Sequence, residues 1–434
     1  MKASTLTRRR RTARAPIALA LFAGLVGCGS TQSAGVLATV APSVPESCST
    51  AVLATLSSVL RRVYREGVAS ERTGSAKHLI THSKALRTAV ETGNRAAALA
   101  AARALLATGH MTDLLITRDA QPSRPFISLG GAAIAPLRGT LTGPRGAPIA
   151  SYVTSVWADR GFLSEAGGVT QGLVMLRAGE TWVGASGRGS PALTAGALAN
   201  EGALTIDHIA YRYTSFPTQS YPSGAERVYM LIPLNTIAGR CGQSSQDTTV
   251  NTLEHVAKLI YTGELGRSAH NQVRRVQRNG ALLQAVANRD PEAARLAIGA
   301  LLNQHIVRIR VTVGGELLSD VGGPYVLAPV RAPLKLHGRA IGGLVLSIQD
   351  DEGYLRLARR LAGLDVLMYM NVEGVHQKLV KDSLGPMPGP APNAVPAAGP
   401  FRYRGRDFRV FTVHARAFPS GPLTIRVLVP LPYR

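Results

Sequence analysis

Aromatic residues make up only 5 % of this 434-residue sequence, and cysteines number three. A nucleic-acid-binding chain gathers positive charge into a stripe beside aromatic stacking partners. Here 49 Lys and Arg stand against 26 Asp and Glu, a formal net charge of +23, but the arginines are scattered apart from one run at the extreme N-terminus. No nucleic-acid partner is expected; outside a cell such a charge favours anionic lipids, wall polymers or anionic ligands. Catalytic and metal motifs are missing as well. The ten histidines form no HExxH or His-x-His arrangement, and no Cys/His cluster has metal-ligand spacing. There is no P-loop, no G-x-S-x-G elbow and no Ser-x-x-Lys pair. The glycine-rich stretch Gly184 to Ser190 follows Trp182 and reads as a surface hairpin loop. No catalytic residue, cofactor or metal is expected, and the chain reads as something other than an enzyme. After Gly27 no apolar run is long enough to span a bilayer.

What is present begins at the N-terminus. Arg8 to Arg11 and Arg14 precede a short apolar stretch, Ala15 to Gly27, that suits a signal-peptide core. It ends Leu25-Val26-Gly27-Cys28, which resembles the bacterial lipobox, where a lipidated cysteine becomes the new N-terminus. The resemblance implies a signal peptide over residues 1–27, a lipid anchor at Cys28, and a flexible tether over residues 28–47. The protein would then sit on the extracytoplasmic face of the cell membrane. Cys48 and Cys241 remain for an oxidising compartment in which a disulfide persists. Cys48 lies just before an opening helix and Cys241 just after a closing strand, so a bond between them is expected.

The mature chain repeats itself. Ala85-Leu86 with Ala89-Val90 matches Ala281-Leu282 with Ala285-Val286, and Leu105-Leu106 matches Leu301-Leu302. Gly130-Gly131 to Pro136 parallels Gly322-Gly323 to Pro329; Ser155 to Leu163 parallels Ser347 to Leu355. Tyr221-Pro222-Ser223-Gly224 with Ile232-Pro233-Leu234 parallels Phe418-Pro419-Ser420-Gly421 with Val429-Pro430-Leu431. Five blocks in one order at nearly constant spacing point to two modules, residues 48–241 and 242–434.

Each copy opens with helical periodicity: Val52, Leu56, Val59, Leu60, Val63, then Val250, Leu253, Val256, Ala257, Ile260, with Asp247 or Thr248 capping the second. Further helix follows, broken at Thr92-Gly93-Asn94 and at Asn288 to Pro291. Val307, Ile309, Val311 and Val313 alternate with polar residues as a half-buried strand, and Asp113 to Thr117 is the weaker counterpart. Strands over Ala150 to Trp157 and Ala340 to Ile348 each run into a short helix, for which Asp159 and Asp351 are the expected N-caps. More strands close each copy, and Pro386 to Pro400 reads as an extended, mobile loop.

A helical stem followed by an antiparallel sheet with one inserted helix resembles the Cache family of extracytoplasmic sensor domains, which have a PAS-like sheet. The resemblance covers nearly the whole mature chain. It implies an α+β fold of two tandem Cache-like modules and a sensor that takes a small-molecule ligand. With no output domain, it would act through a separate signalling or transport partner. The alternative is a structural or docking envelope lipoprotein. In the resembled fold one sheet face packs on the stem and the other forms the pocket. That placement makes Arg308, Arg310, Tyr325, Arg331, Tyr354 and Tyr369 the expected ligand-binding residues of the second module, suited to an anionic ligand. Trp157, Arg177 and Tyr211 are their weaker equivalents in the first.

Overall fold

The computed structural model describes residues 44–434 except 120, 188–197, 303–305, 373, 386–388 and 434. The signal-peptide, Cys28 and tether expectations therefore lie outside the described residues, apart from the last tether positions. Among the described residues no helix is long and apolar enough to cross a membrane.

The chain is a mixture of helices and antiparallel sheets. Its first half runs α1 (Glu46–Val68), α2 (Glu71–His82), α3 (Lys84–Glu91), α4 (Arg95–Ala107), β1 (Asp113–Arg118), β2 (Ile127–Leu129), β3 (Ala133–Ile134), β4 (Leu137–Thr142), β5 (Pro148–Ser155) and β6 (Trp157–Ala158). There follow α5 (Asp159–Thr170), β7 (Leu173–Ala178), β8 (Thr181–Ala185), β9 (Glu201–Ile206), β10 (Ile209–Gln219), β11 (Ala225–Pro233) and α6 (Leu234–Ala238). The second half runs α7 (Ser245–Gly263), α8 (Arg267–Gln277), α9 (Gly280–Ala287), α10 (Pro291–Leu301), β12 (Arg308–Val313), β13 (Glu316–Gly322), β14 (Val326–Leu327), β15 (Val330–Leu336), β16 (Arg339–Ser347) and β17 (Gln349–Asp350). It closes with α11 (Asp351–Ala362), β18 (Asp365–Val372), β19 (Val375–Asp382), β20 (Gly399–Tyr403), β21 (Arg406–Arg416) and β22 (Pro422–Leu431).

Each half holds two sheets, not the single sheet expected from the strand pattern. The four-stranded sheets have the orders β2-β1-β5-β4 and β13-β12-β16-β15; the five-stranded ones have β8-β7-β11-β10-β9 and β19-β18-β22-β21-β20. Short ladders, β3-β6 and β14-β17, sit between the sheets of each half. The registers agree in detail: Asp113 pairs with Ser155 as Arg308 pairs with Ser347, and Thr218 pairs with Glu226 as Ala415 pairs with Leu423.

The helices α2–α4 and α8–α10 bury their apolar faces on the four-stranded sheets. Ile309 and Val311 lie in the second of these cores, with Val313 partly buried against it, as the strand alternation implies. A third core is continuous across the halves. It joins Val52, Leu56 and Val59 of α1 with Leu253, Val256 and Ile260 of α7, Phe162 of α5 and Tyr354 of α11. Both opening helices contact both inserted helices. The aromatic contacts repeat as well: Tyr64 packs edge-on to Phe162 and Tyr261 edge-on to Tyr354, each at 6.4 Å between ring centroids.

Several local expectations are corrected. Ser244 caps α7, accepting from the Asp247 N–H at 3.0 Å, and Asp247 lies within the first turn. Asp350 caps α11, accepting from the Gly353 N–H at 2.6 Å, so Asp351 is the first helical residue. Asp159 is likewise the first residue of α5, after Ala158, and makes no cap hydrogen bond. The described part of the Pro386 to Pro400 loop packs over the outer face of the five-stranded sheet: Val395 is buried and the Tyr369 hydroxyl donates to the Pro390 carbonyl at 2.9 Å. Most of the Gly184 to Ser190 stretch is described, and Thr181–Ala185 pairs as an edge strand; residues 188–190 lie outside the description.

Cys48 and Cys241 form a disulfide, with Cα atoms 5.5 Å apart. It ties the start of α1 to the segment between α6 and α7.

Candidate functional site

Of the six residues expected to bind ligand, Arg308 and Arg331 both reach the Phe418–Pro419 turn and Arg310 and Arg331 flank Val345 of β16, while Tyr354 and Tyr369 have separate surroundings. Arg308 is consumed by its own surroundings: its guanidinium holds both Asp320 carboxylate oxygens at 2.8 and 2.9 Å and donates to the Gly323 carbonyl at 2.9 Å. It also lies 4.9 Å from the centre of the Phe418 ring. Arg310 is half-buried on the same strand, directly across from Asp320. Tyr354 is a core residue, fully buried between helices, with its hydroxyl bonded to the Ala257 carbonyl at 3.2 Å. Helical spacing hid this: the helix turns position 354 inward onto α7. Tyr325 is half-buried against the same central core. Arg331 borders a cavity of about 330 Å³ with His270, Arg416, Pro419 and Ser420. Tyr369 borders a separate one of about 380 Å³ with Asn371, His376 and Gln377. Arg310 and Tyr325 line neither of these two cavities.

The unusual chemistry lies in the first half, at the seam between its two sheets. Asp113 opens β1, Trp157 and Asp159 come from the β6–α5 junction, and Thr218, Tyr221 and Glu226 come from the β10–β11 hairpin. Asp113, Thr218 and Glu226 are 1 %, 7 % and 4 % exposed. Trp157 Nε1, Asp159 Oδ1, Thr218 Oγ1, Tyr221 Oη and Glu226 Oε2 are all buried without a hydrogen-bond partner. Unsatisfied buried polar groups cost free energy, so five at one seam require a reason. Thr218 and Glu226 face each other across the β10–β11 ladder. Asp113 is better held, accepting from the Gly131 N–H and the Thr112 hydroxyl, both at 2.5 Å.

Electrostatics bind the set together. Burial lifts the Asp159 carboxyl above the usual range, with Asp113 adding repulsion. Burial, then the Asp159 charge, pushes Glu226 up to about 7. Burial and Asp113 raise the Tyr221 hydroxyl, and Glu226 contributes to raising Tyr64. None of the three carboxylates has an Arg, Lys or His ion-pair partner among the described residues. Nor does any group of three or more His, Cys, Asp or Glu among them gather as metal ligands would.

The second half resolves the same positions differently. By strand register Asp113 is replaced by Arg308, Thr218 by Ala415 and Glu226 by Leu423. Tyr221 becomes Phe418, each before a cis proline. Trp157 becomes Gln349, each hydrogen-bonded through its backbone N–H to the preceding serine hydroxyl (3.1 and 3.2 Å). Gly67, where an added Cβ would meet Trp157 Cδ1 at 2.6 Å, becomes Glu264, whose carboxylate lies beside the Gln349 side-chain amide. At Asp351, the counterpart of Asp159, the two halves agree: its Oδ2 is also buried without a hydrogen-bond partner, and burial raises its carboxyl with Lys381 opposing. Of the first-half residues named from sequence, Trp157 reaches the seam; Arg177 lies instead over Trp182, and Tyr211 packs beside a small outer cluster. The signal that could have found the site was the aligned comparison of the copies, Asp113 against Arg308 and Glu226 against Leu423.

No protein-family model matches the chain, and no curated protein matches it. Among solved structures it is similar to an extracellular ligand binding receptor from Desulfohalobium retbaense DSM5692, at 11 % identity and a TM-score of 0.26. That match covers 52 % of this chain and 47 % of the other, so it spans about half the receptor's length.

Proposed function

We propose that the protein is an extracytoplasmic, sensor-type ligand-binding lipoprotein made of two tandem Cache-like units, anchored through Cys28 and acting through a separate partner. The observation that carries the ligand-binding reading is the buried, unpartnered polar seam of the first half, set against a second half whose equivalent seam is filled by Arg308, Phe418, Ala415 and Leu423. A chain that can fill this seam with self-paired and apolar groups keeps it polar where a ligand supplies the missing partners. The repeated strand orders support the tandem reading, and each unit carries two sheets on one opening helix. The second half suits a structural role, bracing the first through the shared core.

The test is a thermal-shift screen of the whole exported protein against small acids, amines and sugars, in parallel with Glu226→Leu, which installs the second half's residue. A ligand-induced rise in melting temperature that disappears in the variant is expected. A response that survives in Glu226→Leu moves binding elsewhere, and no response to any compound favours a structural envelope protein.

A further inference from the structure

We propose that the seam of Asp113, Asp159, Tyr221 and Glu226 receives an organic cation, an ammonium or guanidinium group. The inference rests on the ligand-binding reading above and names the class of ligand.

Three observations carry it. First, the seam carries carboxylates without a counter-charge: three buried or partly buried ones in a chain of net charge +23, none of them ion-paired among the described residues. Thr218 and Glu226, both more than nine-tenths buried, each leave an oxygen without a partner at facing register positions. An internal arginine would meet that demand at little cost in a sequence so rich in them, yet the two beside the seam are turned to other partners: Arg72 stacks on the Trp157 ring and donates to the Gly109 carbonyl, and Arg138 donates to the Pro222 carbonyl at 2.9 Å.

Second, the other half shows what a cation does at this place. Arg308 occupies the position of Asp113, and its guanidinium lies over Phe418, the counterpart of Tyr221. It takes Asp320 and the Gly323 carbonyl as acceptors. The second half therefore has a built-in guanidinium against an aromatic ring. The first half keeps the ring, exchanges the guanidinium for a carboxylate, and adds Glu226 where the second half has Leu423. Charge complementarity calls for an external cation at the same seam.

Third, the acceptors are spread over β1, the start of α5 and the β10–β11 hairpin, and do not converge as metal ligands. A spread of carboxylate, hydroxyl and phenol oxygens suits a planar or branched N–H donor, whose N–H groups point in several directions.

The experiment is isothermal titration of the full exported protein with guanidinium, agmatine, putrescine and ethylammonium, and with acetate and glucose at matched ionic strength. Glu226→Gln and Asp159→Asn are run alongside, with near-UV circular dichroism to verify the fold; Glu264→Gln is the control. Saturable binding of one or more cations, weakened at least tenfold by Glu226→Gln or Asp159→Asn and unchanged in Glu264→Gln, supports the proposal. If acetate or glucose binds instead and is lost in Glu226→Gln, the seam is a ligand site but the cation class is wrong. Cation binding indifferent to both variants removes the seam from consideration. If no probe binds and the variants alter stability alone, the polar atoms hold ordered water, and both this proposal and the ligand-binding reading fall.

Discussion

At Glu226 the first half keeps a buried carboxyl where the second half has Leu423. A carboxyl pushed up to about 7 by burial and by Asp159 binds its proton more tightly folded than unfolded. Between the ordinary glutamate value near 4.3 and about 7 the native state therefore carries more protons than the unfolded one, and stability falls as pH rises through that window. A shift of this size corresponds to roughly 3 kcal/mol, fully lost above pH 7 and recovered below about pH 4. Glu264, also pushed up to about 7 by burial and by Glu165, acts in the same direction. Urea midpoints measured from pH 5 to 8 should decline, with a shallower slope in Glu226→Gln and the shallowest in Glu226→Gln/Glu264→Gln. At pH 8 the substitution Glu226→Leu should stabilise the protein by about 1–3 kcal/mol, because it removes a buried unpaired acceptor. A destabilised leucine variant would show that Glu226 has a structural partner after all.

At the scale of elements, the C-terminal turn of α1 is fitted to the β3–β6 ladder through a single missing side chain. A Cβ on Gly67 would fall 2.6 Å from Trp157 Cδ1 and 2.8 Å from Ala135 Cβ. Gly67→Ala should therefore lower stability by about 1–3 kcal/mol despite alanine's better helix propensity. Trp157→Gln, the residue used at Gln349, should restore part of the loss. Chemical denaturation of the single and double variants measures the coupling; simple additivity would mean that the helix and ladder do not meet as described. The other half offers a cap to remove. Asp350→Ala deletes the oxygen that accepts from the Gly353 N–H and should cost about 1 kcal/mol, read from the same melts.

For the whole molecule, the continuous core through α1, α5, α7 and α11 makes the halves one cooperative body. Trp157 and Trp182 both report on the first half, so tryptophan fluorescence and far-ultraviolet circular dichroism should trace coincident urea transitions. An early fluorescence change would indicate that the first half opens alone. The Cys48–Cys241 bond spans 193 residues of sequence, and its loss through Cys48→Ser/Cys241→Ser should destabilise by about 5 kcal/mol on chain-entropy grounds. Intact-mass analysis of membrane-extracted protein checks the anchor: a diacylglyceryl addition on a chain beginning at Cys28 is expected, and an unmodified cysteine there refutes it.

Much of the local architecture is legible in the residue pattern alone. Periodicity marked α1 and α7, alternation marked β12, and the ordered blocks from Ala85-Leu86 to Val429-Pro430-Leu431 exposed the internal likeness, because helix and strand faces repeat at 3.6 and 2 residues wherever one side is buried. The positions of Cys48 and Cys241 at the ends of the first copy were enough to anticipate their bond. Tertiary structure decided the rest. It alone showed that each half has two sheets, since strand pairing is a non-local choice that alternation does not encode. It turned Tyr354 into core, engaged Arg308 with Asp320, and brought Asp113, Asp159 and Glu226 together from segments more than 100 residues apart from first to last. A side chain's type is written in the sequence, but whether its polar atoms find partners depends on which distant strand arrives beside it, and at this seam that decided where the candidate site lies.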